Sequence, residues 1–384
     1  MSDDNGLLAD VQSRLDSFLR DLAALSDMDC GTYDKPGVDA VGQVLRDRLE
    51  RMGLAVEVYD GGALGDSLVA RWRGRGSARL LLIGHLDTVY PRGWPREHPF
   101  RIEGDVARGP GTADMKGGLL AGLYALDALR AVGFDRFAEI ALVLNSDEEI
   151  GSPTSQPLIE REARGRNAVL VLEAGRENGD IVSARKGVAQ FTVHVRGRAA
   201  HAGVEPHKGR NAIVELAHRI VALHGLNGTV PGATVNVGVV QGGTRSNVVP
   251  AAARADVDVR AVDRASLDAI IGAVRACIAQ MTVPDTAATL EGGVTHPPME
   301  KTPASARLVE WCQAAARDAG FDVRDAATGG GSDGNTTAAL GVPTLDGLGP
   351  VGGLDHSPDE YVSIPSIAPR TAMLAGLMQR ICLA

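Results

Sequence analysis

The main body of this 384-residue chain is predicted to be an α/β fold, with a mixed, largely parallel sheet flanked by helices. Three observations predict it. Short unbroken apolar runs at Leu80 to Ile83, Ile140 to Leu144 and Val169 to Leu172 read as strands buried on both faces, the pattern of parallel strands covered by helices. Helical periodicity separates these runs. Between about Arg185 and Thr295 the pattern changes to half-buried alternating strands and two amphipathic helices in the order β-α-β-β-α-β, the ferredoxin-like arrangement of an inserted α+β domain. The expected organisation is residues 1–183 as the first part of one domain, 184–296 as the insertion and 297–384 as the second part.

Taken in order, Leu7 to Leu25 and Val38 to Met52 carry apolar residues at helical spacing, the second stopped by Gly53. Val56 to Tyr59 and Leu68 to Trp72 read as strands around the Gly61-Gly62 turn. A loop rich in Gly, Pro and Arg follows the Leu80 strand and ends at Gly118, before a helix from Leu119 to Val132. Within the insertion the expected strands are Gln190 to Val195, Thr234 to Val239, Ala255 to Val259 and Ala287 to Leu290, with helices at Asn211 to Leu223 and Leu267 to Met281. A helix from Ser305 to Ala319, a short strand near Val323, a strand at Thr344 and a closing helix from Ile364 to Ile381 return the chain to the first domain.

Composition narrows the function. Hydrophobic residues make up 44% and charged residues 23%, globular values that exclude disorder. The net charge of −9 is spread along the chain, without the basic footprint of a nucleic-acid binder, so a small-molecule or peptide partner is expected. Four cysteines form no C-x-x-C, which argues against a disulfide framework or a thiolate zinc site. An acidic opening, MSDDNGLLAD, and no apolar stretch of membrane-spanning length lead to the expectation of a cytoplasmic protein with no membrane partner.

The chemistry lies where the buried strands end. His85 and Asp87 follow the first, Asp147, Glu148 and Glu149 the second, and Glu173 the third, and the carboxyl ends of neighbouring parallel strands form the ligand crevice of such sheets. One such cluster is ordinarily a solvated loop. Three of them, together with Asp114 in the glycine-flanked GPGTADMKGG and His356 in GLDHSPDE, point to metal binding. Asp87, two residues from His85 in an extended segment, is placed to accept a hydrogen bond from its ring. Imidazoles and carboxylates without thiolates suit Zn²⁺, Co²⁺ or Mn²⁺. Five good ligands and a spare acid fit two metals about 3.5 to 4 Å apart sharing a bridging carboxylate. Of the adjacent Glu148 and Glu149, whose side chains point apart, one is expected to bind metal and the other to act as general base.

The segments GHLDTVY, GTADMKGG, NSDEEIGS, LEAGR, GRAAHAGVEP, GGTRSNVVPAAARADVDVR, GGGSDG and DHSPDEY, in this order along nearly the whole chain, resemble those of the M20 metallopeptidases. That family includes glutamate carboxypeptidases, acetylornithine deacetylase and succinyl-diaminopimelate desuccinylase, and its catalytic domain is zinc-exopeptidase-like. The resemblance implies that His85, Asp114 and Glu173 hold one metal and Asp114, Glu149 and His356 the other, most often zinc. It implies further that Asp87 orients His85, that Glu148 is the general base, and that the Asp114-Met115 peptide is cis. His201 would cross the interface of a homodimer to bind the developing oxyanion, the insertion acting as lid and dimerisation domain. Asn247 and Arg260 would hold the substrate carboxylate, a role suited to a forked guanidinium, with Gly330 and Gly331 in a loop whose amides approach it. One departure bears on substrate: where glutamate-specific relatives carry arginines, this chain has His296, Pro297 and Pro298, with Lys301 the one nearby replacement. A strict glutamate preference is therefore not expected. The activity implied is cleavage of an amide beside a free carboxylate, by an aminoacyl carboxypeptidase or an N-acyl amino acid deacylase.

Two other readings compete. GGSDG satisfies the nucleophile-elbow pattern around Ser332, with Asp346 or Asp355 and then His356 following in α/β-hydrolase order, but no strong strand precedes the serine and the strand-end acids are left unexplained. A non-catalytic metal-binding protein is the other, and Glu148 is the residue it does not need.

Overall fold

The three apolar runs form the centre of a six-stranded sheet in the computed structural model, which describes residues 4–384. Its order is Ala55–Tyr59, Ser67–Arg73, Glu139–Asn145, Arg79–His85, Ala168–Val171, Thr344–Leu345. The last four run parallel, and the first two are added antiparallel. Successive residues point to opposite faces, so Leu80 and Leu82 enter one hydrophobic core while Leu81 and Ile83 enter another. The larger core collects the helices Gly117–Ala131, Pro303–Asp318 and Ile364–Leu383, and the smaller one the helix Gln156–Ala163. Gly118 lets the first of these helices press onto the sheet: a Cβ there would lie 1.8 Å from the carbonyl oxygen of Leu172.

The chain divides into two compact units, one reaching to Ala184 and resuming at Lys301–Thr328 and Ser332–Ala384, the other Arg185–Glu300 with Gly329–Gly331. In the second, four antiparallel strands lie in the order Thr234–Gly242, Ala252–Ala261, Gly187–Arg196, Ala287–His296. Helices Ala212–His224 and Arg264–Ala279 share its core, each started by a side-chain cap: Asn211 accepts from the Val214 amide and Asp263 from the Ser266 amide. This is the ferredoxin-like order. The unit runs on to Glu300 rather than 296 because Met299 and Arg185 exchange both backbone hydrogen bonds, at 2.9 and 3.0 Å.

Three local expectations are corrected. The opening helix is two, Asp4–Ser13 and Leu15–Ser26, broken at Arg14 with φ −109° and ψ 9°: both halves pack on the Gly117 helix, and the first packs on the closing helix as well. The strand placed near Val323 begins at Asp325 and pairs with an unanticipated strand, Ile181–Arg185. The third correction matters most for function. Within the loop before Gly118 and in the tail, Arg101–Glu103, Val106–Arg108, Tyr361–Ser363 and Gly352–Gly353 form a small antiparallel sheet. Among the described residues no helix is long and apolar enough to cross a membrane.

Candidate active site

Strand register places the first ligands. His85 stands opposite Asn145, and Ile83 opposite Val171, so continuing both strands by two residues sets Glu173 level with His85, while Asp147 to Glu149 follow directly after Asn145. Their groups meet: His85 Nε2 is 3.6 Å from Glu173 Oε1. The small sheet brings the rest. Tyr361 pairs with Arg108, which draws the His356 loop beside the segment running on to Asp114. His356 itself has φ 63° and Leu354 φ 58°, left-handed conformations uncommon for non-glycine residues.

Asp114 is the centre of the cluster. Its Oδ1 lies 3.0 Å from Nε2 of His85 and its Oδ2 3.1 Å from Nε2 of His356, one oxygen facing each imidazole. Glu149 Oε2 is 3.3 Å from the same nitrogen of His356. Donor atoms of His85, Asp114 and Glu149 lie within 4.8 Å of one another, as do those of His85, Glu148 and Glu173. The Asp114-Met115 peptide is cis.

The His85 ring is oriented through Nδ1, 3.0 Å from the Asp87 carbonyl oxygen and 3.4 Å from its Oδ1. The backbone carbonyl of Asp87, more than its carboxylate, therefore fixes the tautomer that leaves Nε2 facing the acids. The carboxylate of Asp87 holds the acid pair instead, accepting the amides of Glu148 and Glu149 at 3.2 and 3.3 Å and the Thr32 hydroxyl at 2.7 Å.

Electrostatics follow from this crowding. Burial pushes the Glu148 carboxyl well above its ordinary range, and the charges of Glu173, Asp333 and Glu149 add to that against His85. Burial likewise raises Glu149. Hydrogen bonds to Asp114 and Glu149 hold the His356 imidazole up at about 11, against the opposing effect of burial. For His85 burial works downward, but its bonds to Asp114 and Asp87 outweigh it. A site that clings to protons in this way attracts cations, and a divalent ion relieves the same acceptor crowding. Glu149 Oε1 is buried without a hydrogen-bond partner, the donor a bound cation would use. Two imidazoles and four carboxylates, one of them shared between the imidazoles, fit two divalent cations of the Zn²⁺, Co²⁺ or Mn²⁺ class.

Residues beyond the expected set support it. Glu360 is buried under the Asp114 turn, accepting the amides of Ala113 and Asp114 at Oε1 and of Gly111 at Oε2, with the Tyr90 hydroxyl 2.6 Å from Oε2. It stood in DHSPDEY as an ordinary acid, and only the long-range pairing reveals its place. Asp333 accepts from Asn145 at 2.8 Å and Ser152 at 2.5 Å, tying together the ends of the acid loop. Asp147 accepts from Thr154 and Ser155, closing that loop from within rather than joining the cluster.

The remaining candidates lie in the second unit. His201 is exposed, and its Nδ1 accepts the Gly203 amide at 3.1 Å, so Nε2 carries the proton and is free to donate. Asn247 is exposed, with its carbonyl accepting from Ala202 at 3.0 Å. Arg260 bonds Asp258 Oδ1 at 2.9 Å and the Gly329 carbonyl at 2.6 Å, and Arg185 reaches the Gly330 carbonyl at 3.2 Å. The carbonyls of Gly329 and Gly330 thus bond these arginines. His296 packs against Gly331 and is held below its usual value by burial and by the charges of Arg185 and Arg260, so it is neutral and no substitute for a guanidinium. Lys301 is engaged with Asp325 at 2.6 Å.

The serine-hydrolase reading fails on geometry. Ser332 is buried, caps the helix Asp333–Ala339 and lies 2.6 Å from Asp346, while the histidine that follows in sequence, His356, faces Asp114 and Glu149.

Comparison with known proteins shows the family of the chain. Carboxypeptidase G2 from Pseudomonas sp. (strain RS-16) is 32% identical over 380 residues, covering 98% of this chain and 92% of that protein. An acetylornithine deacetylase from Myxococcus xanthus is 32% identical over 275 residues, 66% of this chain and 69% of the relative. The M20 family metallo-carboxypeptidase Sso-CP2 from Sulfolobus solfataricus shares the fold, with a TM-score of 0.77 at 17% identity over 96% of this chain and 99% of that one. Residues 81–380 match peptidase family M20/M25/M40, and with the relative spanning nearly its full length the chain belongs to that family, as one of its metallopeptidases or amidohydrolases.

Proposed function

We propose that this enzyme uses two divalent metal ions, most simply Zn²⁺, to cleave an amide bond beside a free carboxylate, as an aminoacyl carboxypeptidase. The observation that carries the reading is the division of Asp114 between His85 and His356, the arrangement of a bridging carboxylate. Bound cations in such a centre lower the pKa of water and polarise a carbonyl. The sets assigned are His85, Asp114 and Glu173 for one ion, and Asp114, Glu149 and His356 for the other. Glu148, its carboxyl raised by burial, takes the proton of the attacking water and delivers it to the leaving amine. Asp87 holds Glu148 and Glu149 by their amides and so fixes the base relative to the ligands. His201, whose Nε2 carries a proton, is assigned to the oxyanion, and Asn247, Arg260, Gly330 and Gly331 to the substrate carboxylate.

N-acyl amino acid deacylation is the second reading, and His296 favours it. A neutral imidazole beside Pro297 and Pro298 offers no charge to a glutamate side chain. The same proposal includes a cytoplasmic homodimer built through the inserted unit. Its edge strand Thr234–Gly242 exposes Val239 and Val240, and the helix Ala212–His224 exposes Val214 and Val221, an apolar surface suited to a second copy.

The test is metal-stripped enzyme, reconstituted with zinc, cobalt or manganese and screened against dipeptides, N-acyl amino acids and aminobenzoyl glutamates. Activity should vanish on stripping, return with metal, and be absent for substrates whose carboxylate is capped as an amide. Full activity in stripped enzyme, or equal turnover of capped substrates, overturns the reading.

A further inference from the structure

Phe191, Val193 and Val195 point into the core of the inserted unit beneath its two helices, so His194 and Arg196 stand on the opposite, open face of the sheet. Strand register sets Arg254 directly across from His194 and Ala252 across from Arg196, which makes the two arginines diagonal neighbours on that face. Around them opens a cavity of about 650 Å³, within the size range of small-molecule sites. Ala199, Val248, Pro250 and Ala252 give it an apolar floor.

The positive charge at this end of the sheet is uncompensated. Arg254 donates through Nε to Gln241 at 3.0 Å, and neither it nor Arg196 forms an ion pair among the described residues. Other arginines of the unit do: Arg198 and Arg210 meet Asp285, Arg260 meets Asp258 and Arg264 meets Asp268. The one acid in the lining, Glu291, lies 3.4 Å from His194, and Asp256, two residues along the strand from Arg254, accepts from the Thr192 hydroxyl at 3.0 Å. Two like charges on neighbouring strands repel each other, and an anion that accepts from both guanidinium forks removes that cost.

We propose that this cavity binds a small organic anion, a phosphate or carboxylate head held by Arg196 and Arg254 on an apolar body laid over the floor. Its wall is the ladder that carries His201 and Asn247. His201 bridges Val248, the Ala202 amide donates to the Asn247 carbonyl at 3.0 Å, and the Val249 amide donates to the Ala200 carbonyl at 2.9 Å. A ligand lying across Ala199 and Val248 braces both sides of that ladder, so occupancy steadies the segments that present His201 and Asn247. The inference goes beyond the hydrolase reading and does not depend on which amide is cleaved.

Hydrogen exchange followed by mass spectrometry on zinc-loaded enzyme tests it, with phenyl phosphate, benzoate and inorganic phosphate as probes. Phenyl phosphate or benzoate should slow exchange in peptides covering residues 194–202 and 248–254, the amides of Ala202 and Val249 included, and whichever protects at the lower concentration names the head group. Inorganic phosphate should need at least about tenfold more, because it leaves the apolar floor unfilled. Arg196→Ser and Arg254→Ser, both at exposed positions, should each raise the concentration for half-protection at least about tenfold, the loss of a charge-assisted hydrogen bond. Unchanged exchange at 194–202, or protection confined to peptides around His85 and Asp114, overturns the site, as does protection of 194–202 that survives both substitutions. Equal potency of inorganic phosphate overturns the organic part of the assignment.

Discussion

Glu360 accepts the backbone amide of Asp114 at 2.9 Å across 246 residues of chain. The same carboxylate takes the amides of Gly111 and Ala113, so the turn that presents Asp114 is held by one buried acid from the tail. Glu360→Gln puts an NH₂ group among N–H donors and should loosen that turn. Partners that orient a ligand usually contribute about 10- to 100-fold to metal affinity or activity. We expect a fall of that size in zinc affinity, measured by competition with a chromophoric chelator, with far-UV circular dichroism unchanged.

Glu148 stands in one donor group with His85 and Glu173, which makes it a candidate either for ligation or for proton transfer. Glu148→Gln separates the two. Turnover should fall by about 10² to 10⁴, the usual contribution of a general base, while metal content measured by elemental analysis stays at the wild-type value. Loss of one metal per chain would reassign Glu148 as a ligand.

Glu162 makes a two-point contact with Arg71, at 2.8 Å for both bonds, and also meets Arg166 at 3.2 Å. Burial alone would raise its carboxyl, but the Arg71 bond and charge outweigh this and hold it below 4.5. A depressed carboxylate contributes stability that is fully present above its unfolded value and is lost as the pH falls through the folded one. Glu162→Gln takes the two-point partner from Arg71, which keeps Glu57 at 3.5 Å and Glu139 at 3.6 Å, while Arg166 keeps Glu139 at 2.7 Å, and should cost about 2 kcal/mol at pH 7. The gap between variant and wild type in urea melts should hold from neutral pH down to about pH 5 and shrink in more acid solution. A gap independent of pH down to the acid limit would contradict the assignment.

Arg370, fully buried in the closing helix, donates to the carbonyls of Gly347, Gly349 and Gly179 at 2.5 to 2.6 Å. Burial lowers it to about 10, so it remains charged at neutral pH. These loops flank Glu173, whose carbonyl accepts the Gly349 amide at 2.8 Å. Arg370→Met removes the donors and leaves carbonyls buried without partners. Stability should drop by about 3 kcal/mol or more, seen as a lowered thermal midpoint, together with weakened metal binding through Glu173.

The parallel sheet and the strand-end acids were legible because both are local. A run such as Leu80 to Ile83 is apolar on both faces whatever follows it, and the residue after a strand end must lie at the sheet's edge. The insertion was equally plain, since alternation and helical periodicity are short-range patterns. The break at Arg14 was not, because apolar residues keep helical spacing through it, and what sets the halves apart is the long-range packing of the first on the closing helix. Val106–Arg108 and Tyr361–Ser363 were also missed: strands of three residues with charged or polar members carry no pattern, and their stability comes from pairing across some 250 residues.

By itself the sequence determined which residue types would do the chemistry and which of them a core strand would carry to a common edge, because burial and periodicity are written into neighbouring residues. The tertiary structure alone decided that Asp114 and His356 face each other and that Glu360 lies beneath them, and it made the Asp87 carboxylate serve the acid pair more than His85. Those relationships depend on backbone hydrogen bonds between distant segments. No local pattern encodes such bonds, because every residue other than proline offers the same donor and acceptor.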